Sequence, residues 1–369
     1  MDEQSLRAFG ALIIKLQGGE NLTRAEAFEA YRQIFQNRQP DLQQGALVAA
    51  HVCVPPTVEA LVGVTEAHNE EWNRCLPHTV QADRPHMGIV GVGLDSLKSF
   101  NVSSAAAVVA SACGVLVHKV GAPGMTSPSG SADAFAHWGL ELHGPLEAAT
   151  AGVASDGLGF TTPINQQLRM GIGRVLSQLR CKTVIHLAGP MGFHGGERHK
   201  IIGVPAPPLG GLMAEAMRIL GYEAAMLPCG TATGHPGRFM DEFSTLGPTH
   251  VARLLDGEVQ HVTLTPADFG VAEAHIEDIA AGRTSAESAR FGARAIAGLT
   301  PGPLEDLLAT NAAACLVLMG AASDWADGTR QARAAIHSGK AIRQLEGLVV
   351  RQAADAEVGL ATLRAHLGK

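Results

Sequence analysis

The hydrophobic pattern changes period part-way along this chain, and that change restricts the folds open to it. Over the first 70 residues apolar side chains recur at helical spacing. Leu6, Leu12, Ile13 and Leu16 mark one helix, which Gly18-Gly19 stops. Thr23 followed by Glu26 is a capping-box pattern that opens a second, with Ala27, Tyr31, Ile34 and Phe35 on its apolar face. Pro40-Asp41 opens a third, Pro55-Pro56 ends it, and Thr57 to His68 forms a fourth. From about residue 87, short apolar runs bounded by glycine alternate with helical stretches instead. Met87–Val92, Val115–Lys119, Thr183–Leu187 and Ala224–Leu227 read as buried strands, with helices at Ser103–Cys113, Ser131–Trp138 and Leu212–Leu220 between them. That alternation predicts βαβ units and a mostly parallel sheet with helices on both faces. Residues 265–345 return to helix, most clearly at Thr310–Met319 and Asp324–His337.

Composition narrows the function. Charged residues are 17% and hydrophobic residues 46% of the 369, which excludes a disordered chain. The formal charge of −7 argues against a basic coat for duplex DNA or anionic lipid and leaves room only for a local basic groove. Aromatics at 4% disfavour a base-stacking single-strand binder. The six cysteines are scattered with no C-x-x-C pair, and Cys53, Cys113, Cys181 and Cys315 lie in apolar surroundings. Free, mostly buried thiols in a reducing cytoplasm are expected. No basic segment followed by an apolar run opens the chain, and the apolar stretch Ala105 to Val117, interrupted by Ser111 and Gly114, is too short to span a bilayer.

The richest region for chemistry is Gly91 to Asp133. Gly91-Val92-Gly93-Leu94-Asp95 follows a predicted strand, and Asn101, Ser103 and Ser104 stand at the start of a helix. A glycine loop lets backbone N–H groups approach a ligand, and a helix N-terminus adds free donors and partial positive charge, so together they form an anion site. Lys119 closes the next strand at the edge where open α/β sheets bind ligands. A small-residue loop, Gly121 to Ser127, leads to Ser129-Gly130-Ser131-Ala132-Asp133 at another helix start. This is not a Rossmann fingerprint: the third glycine and the downstream acid are absent. Read one at a time, the pieces are also ordinary turns and helix caps.

In order, these motifs resemble the anthranilate phosphoribosyltransferase family. Asn21 to Ala27, Ala188-Gly189-Pro190-Met191, Met240-Asp241-Glu242-Phe243-Ser244, Thr263 to Gly270 and Ile336 to Ala341 extend the resemblance over nearly the whole chain. It implies an α/β protein with a small all-helical N-terminal domain packed on a large α/β domain with a central, mostly parallel sheet. The boundaries would be 1–75, joined by helices from about 165–180, and 76–369. It also implies transfer of ribosyl-5-phosphate from phosphoribosyl pyrophosphate to a nitrogen nucleophile, with Mg²⁺, in a cytoplasmic homodimer formed through the helical domain. By the same resemblance Gly91, Gly93 and Asp95 contact the donor, and Asn101, Ser103, Ser104, Lys119 and Ser127 complete its binding site. Asp241 and Glu242, with Ser103, hold the metal through hard oxygen ligands. Without the resemblance Asp241-Glu242 reads as a solvated acidic turn.

The chain also departs from the family pattern. Val92 and Leu94 replace the Thr and Gly of the glycine loop, and Lys119-Val120-Gly121-Ala122-Pro123 replaces Lys-His-Gly-Asn-Arg. The Arg that, by the resemblance, pairs with the anthranilate carboxylate falls near Leu176, with Arg174 close but out of register, and residues around Asn165-Gln166-Gln167 replace the family's His-Pro-Ala-Met. An acceptor other than anthranilate is therefore expected, since a charge-assisted bidentate contact is lost. A non-catalytic, nucleic-acid-binding branch of the same fold is the alternative. Its support is six basic residues (Arg169, Arg174, Arg180, Lys182, Arg198, Lys200) against Glu197 alone between residues 165 and 200.

Overall fold

Side chains that alternate along a buried strand must be covered on both faces, and here two separate apolar cores do so. The computed structural model describes residues 3–76, 79–124, 129–166, 171–179, 181–279 and 282–368. Its strands are β1 (His86–Gly91), β2 (Leu116–Val120), β3 (Leu158–Thr161), β4 (His199–Gly203), β5 (Ala224–Thr231), β6 (Phe239–Met240), β7 (Thr249–Leu255) and β8 (Glu258–Leu264). They form one sheet in the order β3-β2-β1-β4-β5-β7-β8, with β6 on β5. Pairings from β3 through to β5 are parallel, and β6, β7 and β8 add antiparallel edges.

The first helices are α1 (Glu3–Gln17), α2 (Arg24–Phe35), α3 (Asp41–His51) and α4 (Val58–Cys75). Thr23 and Glu26 make the reciprocal capping box at the head of α2. Next come α5 (Val102–Ala112), α6 (Ser131–His137), α7 (Leu146–Asp156), α8 (Ile172–Leu179), α9 (Ile185–Ala188) and α10 (Pro207–Leu220). The chain ends with α11 (Ser285–Ile296), α12 (Pro303–Leu318), α13 (Trp325–His337), α14 (Lys340–Gln352) and α15 (Ala356–Leu367). Met87, Ile89, Ile201 and Met226 face the core made with α5, α6 and α11 to α15. Ile202, Ala225 and Leu227 face the other core, which α1 to α4, α8 and α10 complete. The helical N-terminal part thus shares a continuous core with one face of the sheet. α8 fastens onto it as well: Gly171 N–H donates to Phe35 O at 2.8 Å, and Arg174 pairs with Asp41 at 2.7 Å.

Two expectations are corrected. Thr183–Leu187 is not a strand: the segment turns into α9, and Thr183 N–H donates to the His186 ring across the turn. β-branched residues favour strands only where a neighbour pairs with them, and the sheet position beside β1 is filled by β4. Cys53 and Cys181 are exposed because each lies just past a helix end, whereas Cys229 and Cys315 are buried; all six thiols are free. Among the described residues no helix is long and apolar enough to cross a membrane.

Candidate active site

From β1 the chain moves to β2 and β3 on one side of the sheet, then returns to place β4 on the other. The strand order therefore reverses beside β1, which leaves a crevice outside the C-terminal ends of β1 and β4. Gly91 closes β1 opposite Gly203 of β4. A cavity of about 200 Å³ opens there, walled by the 91–95 loop, the start of α5, the Gly121–Gly124 and Ser129–Ser131 segments, and Asp241-Glu242.

The carboxylates reach this crevice by a hairpin. β5 turns through residues 232–238 and returns as β6, which delivers Asp241 and Glu242. This hairpin is therefore the arm that carries the acids. Ser96 and Leu97 N–H groups both donate to Phe239 O, at 2.9 and 2.8 Å, locking the glycine loop to that arm. Gly93, at φ +75°, donates its N–H to Asp241 Oδ2 at 2.8 Å. At Gly91 a Cβ would lie 2.3 Å from the same oxygen, so only glycine admits the carboxylate.

Three acids crowd here. Burial, then the neighbouring Asp95 charge, pushes Asp241 up to about 7. Burial and then Asp241 push Glu242 well above the usual carboxylate range, although Ser99 Oγ–H donates to it at 3.0 Å. Asp95 is raised by burial and opposed by its ion pair with Lys98. Such a group gains by taking up a cation.

On the opposite wall, Asn101 precedes α5 and ties it to two loops, donating to Ser129 Oγ at 2.7 Å and Ser288 Oγ at 3.0 Å. Ser103 lines the cavity. Ser104 does not: its side chain is fully buried, its Oγ has no partner, and only its position in the first turn of α5 relates it to the site. Lys119 is also fully buried behind the wall, donating to Ser131 Oγ at 3.2 Å. Burial lowers it to about 7 while Asp241 pulls the other way. Asp133 gathers the Gly124 and Gly130 N–H groups, each at 2.8 Å. Ser127 lies outside the described residues.

A second cavity, about 370 Å³, adjoins the first across Gly91, Val92, Gly121 to Pro123 and His186. Its walls are mostly apolar, with Phe35, Ile89, Ile164, Ile172, Leu176 and Ile185 prominent. Among its described lining residues there is no arginine. Lys200 is the one lysine, and it is committed to Glu197 at 2.7 Å and to Gly192 O at 2.5 Å. Burial holds His68 and His118 down to about 3 and His194 to about 4, so all three rings are neutral near pH 7.

Of the four described basic residues in the basic stretch, three are already engaged and Lys182 is exposed. Arg174 is tied to Asp41, Lys200 is buried, and Arg198 caps Gly221 O at 3.1 Å and stacks on Phe193. Arg169 and Arg180 lie outside the described residues. His194 and Glu197 serve the Lys200 pair, and no group of three His, Cys, Asp or Glu there or elsewhere among the described residues converges as a metal cage.

Lys98, Ser99, His186 and Ser288 line the first cavity without having been singled out in the sequence. Lys98 and Ser99 carry a faint signal, sitting between two motifs; Ser288 and His186 carry none, being brought in from distant segments.

Comparison with known proteins places this architecture. Residues 11–70 match the family model described as glycosyl transferase family, helical bundle domain. Residues 83–342 match glycosyl transferase family, a/b domain. An anthranilate phosphoribosyltransferase from Anaeromyxobacter dehalogenans is 33% identical over 91% of this chain and 96% of its own length. One from Methanothermobacter thermautotrophicus is 31% identical over 92% and 97%. Among solved structures, anthranilate phosphoribosyltransferase from Thermus thermophilus superposes with a TM-score of 0.77 at 27% identity, covering 96% of this chain and 99% of that one. The Saccharomyces cerevisiae enzyme, solved in complex with PRPP and Mg, gives 0.76 at 23% identity over 95% and 98%.

Proposed function

This chain belongs to the anthranilate phosphoribosyltransferase family of glycosyl transferases, and on that footing we propose that it transfers ribosyl-5-phosphate from phosphoribosyl pyrophosphate to an uncharged nitrogen nucleophile. The observation that carries the reading is the polar cavity at the strand-order reversal, where half-buried Asp241 and Glu242 line it together with the start of α5. The donor's 5-phosphate and diphosphate suit a glycine loop and a helix N-terminus. Asp241, Glu242 and Ser103 offer the hard oxygens that Mg²⁺ prefers, and the mutual repulsion of Asp95, Asp241 and Glu242 fits a bound cation. Fewer than four protein ligands are enough, because Mg²⁺ in phosphate sites takes much of its shell from the substrate and water. When bound, the ion supplies neutralisation of the charge that grows on the leaving diphosphate. The chain's own residues orient the ribose: Gly93, open at its Cβ position, lets it approach, Gly91 admits the Asp241 carboxylate, and Asn101 fixes the α5 start against the loops bearing Ser129 and Ser288.

The apolar second cavity supports an acceptor without a carboxylate, because no described lining cation is free to pair with one. Exposed Ile14 and Leu42, at 69% and 87%, support assembly of two copies through the helical part. Calorimetry with phosphoribosyl pyrophosphate tests the reading. Saturable binding that requires Mg²⁺ is expected; no heat at millimolar donor with folded protein contradicts it.

A further inference from the structure

His186 is the one described residue with a titratable side chain that lines both cavities. It therefore sits where a nucleophile held in the apolar chamber would meet the ribose held in the polar one. Its ring is set by a local device. The Nδ1 atom lies 3.1 Å from the Thr183 N–H, 3.0 Å from Thr183 Oγ1 and 3.2 Å from Thr183 O. Thr183 thus offers Nδ1 a donor when it is bare and an acceptor when it carries a proton, so the ring is held in either protonation state. The other nitrogen, Nε2, is buried and has no hydrogen-bond partner among the described residues.

We propose that His186 Nε2 accepts the proton released when an uncharged aromatic amine is ribosylated, which makes His186 a catalytic residue of the transfer proposed above. The proposal rests on that reading of the donor site. The amine lone pair forms the N–C1 bond, and the C1–O bond breaks with its electrons leaving on the diphosphate. The nitrogen, now positively charged, gives one proton to Nε2. The resulting imidazolium donates Nδ1–H to Thr183 O and later releases the proton to solvent. Burial lowers the pKa of His186, with nearby Lys182 adding to the effect, so the ring starts neutral and able to accept.

The charged groups around it do not duplicate this role. In the apolar chamber His68, His118 and His194 are neutral rings held well below the usual imidazole value by burial, and Lys200 is closed by Glu197. On the polar side Asp241 and Glu242 belong to the proposed cation site, and Asp95 is paired with Lys98.

The test measures diphosphate release from Mg²⁺-phosphoribosyl pyrophosphate with aniline as nucleophile, alongside donor binding by calorimetry. In His186→Ala and His186→Asn, turnover is expected to fall about 100-fold. Donor affinity at pH 8 is expected to stay within about twofold, the acid limb of turnover measured at saturating donor and Mg²⁺ to vanish, and added imidazole to restore part of the His186→Ala rate. Turnover within about threefold of wild type, with an unchanged pH profile, would overturn the proposal. So would wild-type release no faster with aniline than with water while donor binding is intact. Absence of donor binding in the wild type would instead bring down the reading of the donor site, and this proposal with it.

Discussion

The two adjoining cavities are built in opposite ways. The proposed donor cavity is small and charged: a positive-φ glycine and three interacting acids line about 200 Å³, with a buried lysine behind one wall. The other is nearly twice as large and apolar, and its ionisable groups are either neutral imidazoles or closed into the Glu197–Lys200 pair. The difference teaches that the demands are separable. A site for a polyanion must hold unfavourable groups in reserve until the ligand arrives, whereas a site for an uncharged ring must leave no unpaired charge behind.

The largest effect should come from breaking the donor side. Asp241→Ala with Glu242→Ala is expected to weaken Mg²⁺-dependent donor binding by at least about 100-fold, as loss of a metal site costs several kcal/mol. In the wild type that affinity should rise from pH 6 to 8. The raised carboxyl of Asp241 keeps its proton below about 7, so proton and cation compete there. Calorimetry across that range checks both points.

Gly91→Ala should weaken donor binding by roughly 30-fold, about 2 kcal/mol, because the new Cβ displaces the Asp241 carboxylate rather than removing it. The same titration reads it.

On the acceptor side the comparison is sharpened by adding charge. Leu176→Arg should improve anthranilate affinity in the donor complex roughly tenfold, the part of a charge-assisted pair that survives desolvation. An unchanged affinity would mean that Leu176 does not face the acceptor.

The smallest effect concerns acid stability. The folded protein holds His68 near 3 while the unfolded chain protonates it below about 6.5, so stability is lost as pH falls between those values. His68→Phe, beside Trp72, should flatten that acid limb by about 1 kcal/mol or more at pH 4.5, measured by denaturant unfolding.

The same contrast explains what was legible in the sequence. The helical start, the α/β alternation and the donor loop could be read because their residues are contiguous: Gly91 to Asp95 and Asn101 to Ser104 carry their geometry in spacing alone. β3 and β4 were harder to see, as Leu158–Thr161 is short and Lys200 interrupts the apolar run of His199–Gly203. Lys119 and Ser104 were legible as members of the motif but not as buried groups, since only packing sets side-chain depth. The apolar cavity could not be read at all: Phe35, His68, His118, Leu176 and His186 come from separate segments that meet only in the fold. His186 was hidden further inside an apolar run that mimics a strand.

A crystal structure of the protein with phosphoribosyl pyrophosphate and Mg²⁺ tests the central claim most directly. Donor phosphates against the Gly91–Gly93 loop and the start of α5, with the ion at Asp241 and Glu242 and the ribose C1 toward His186, are the predicted result. Donor bound elsewhere, or no donor after equilibration at millimolar concentration, would contradict it.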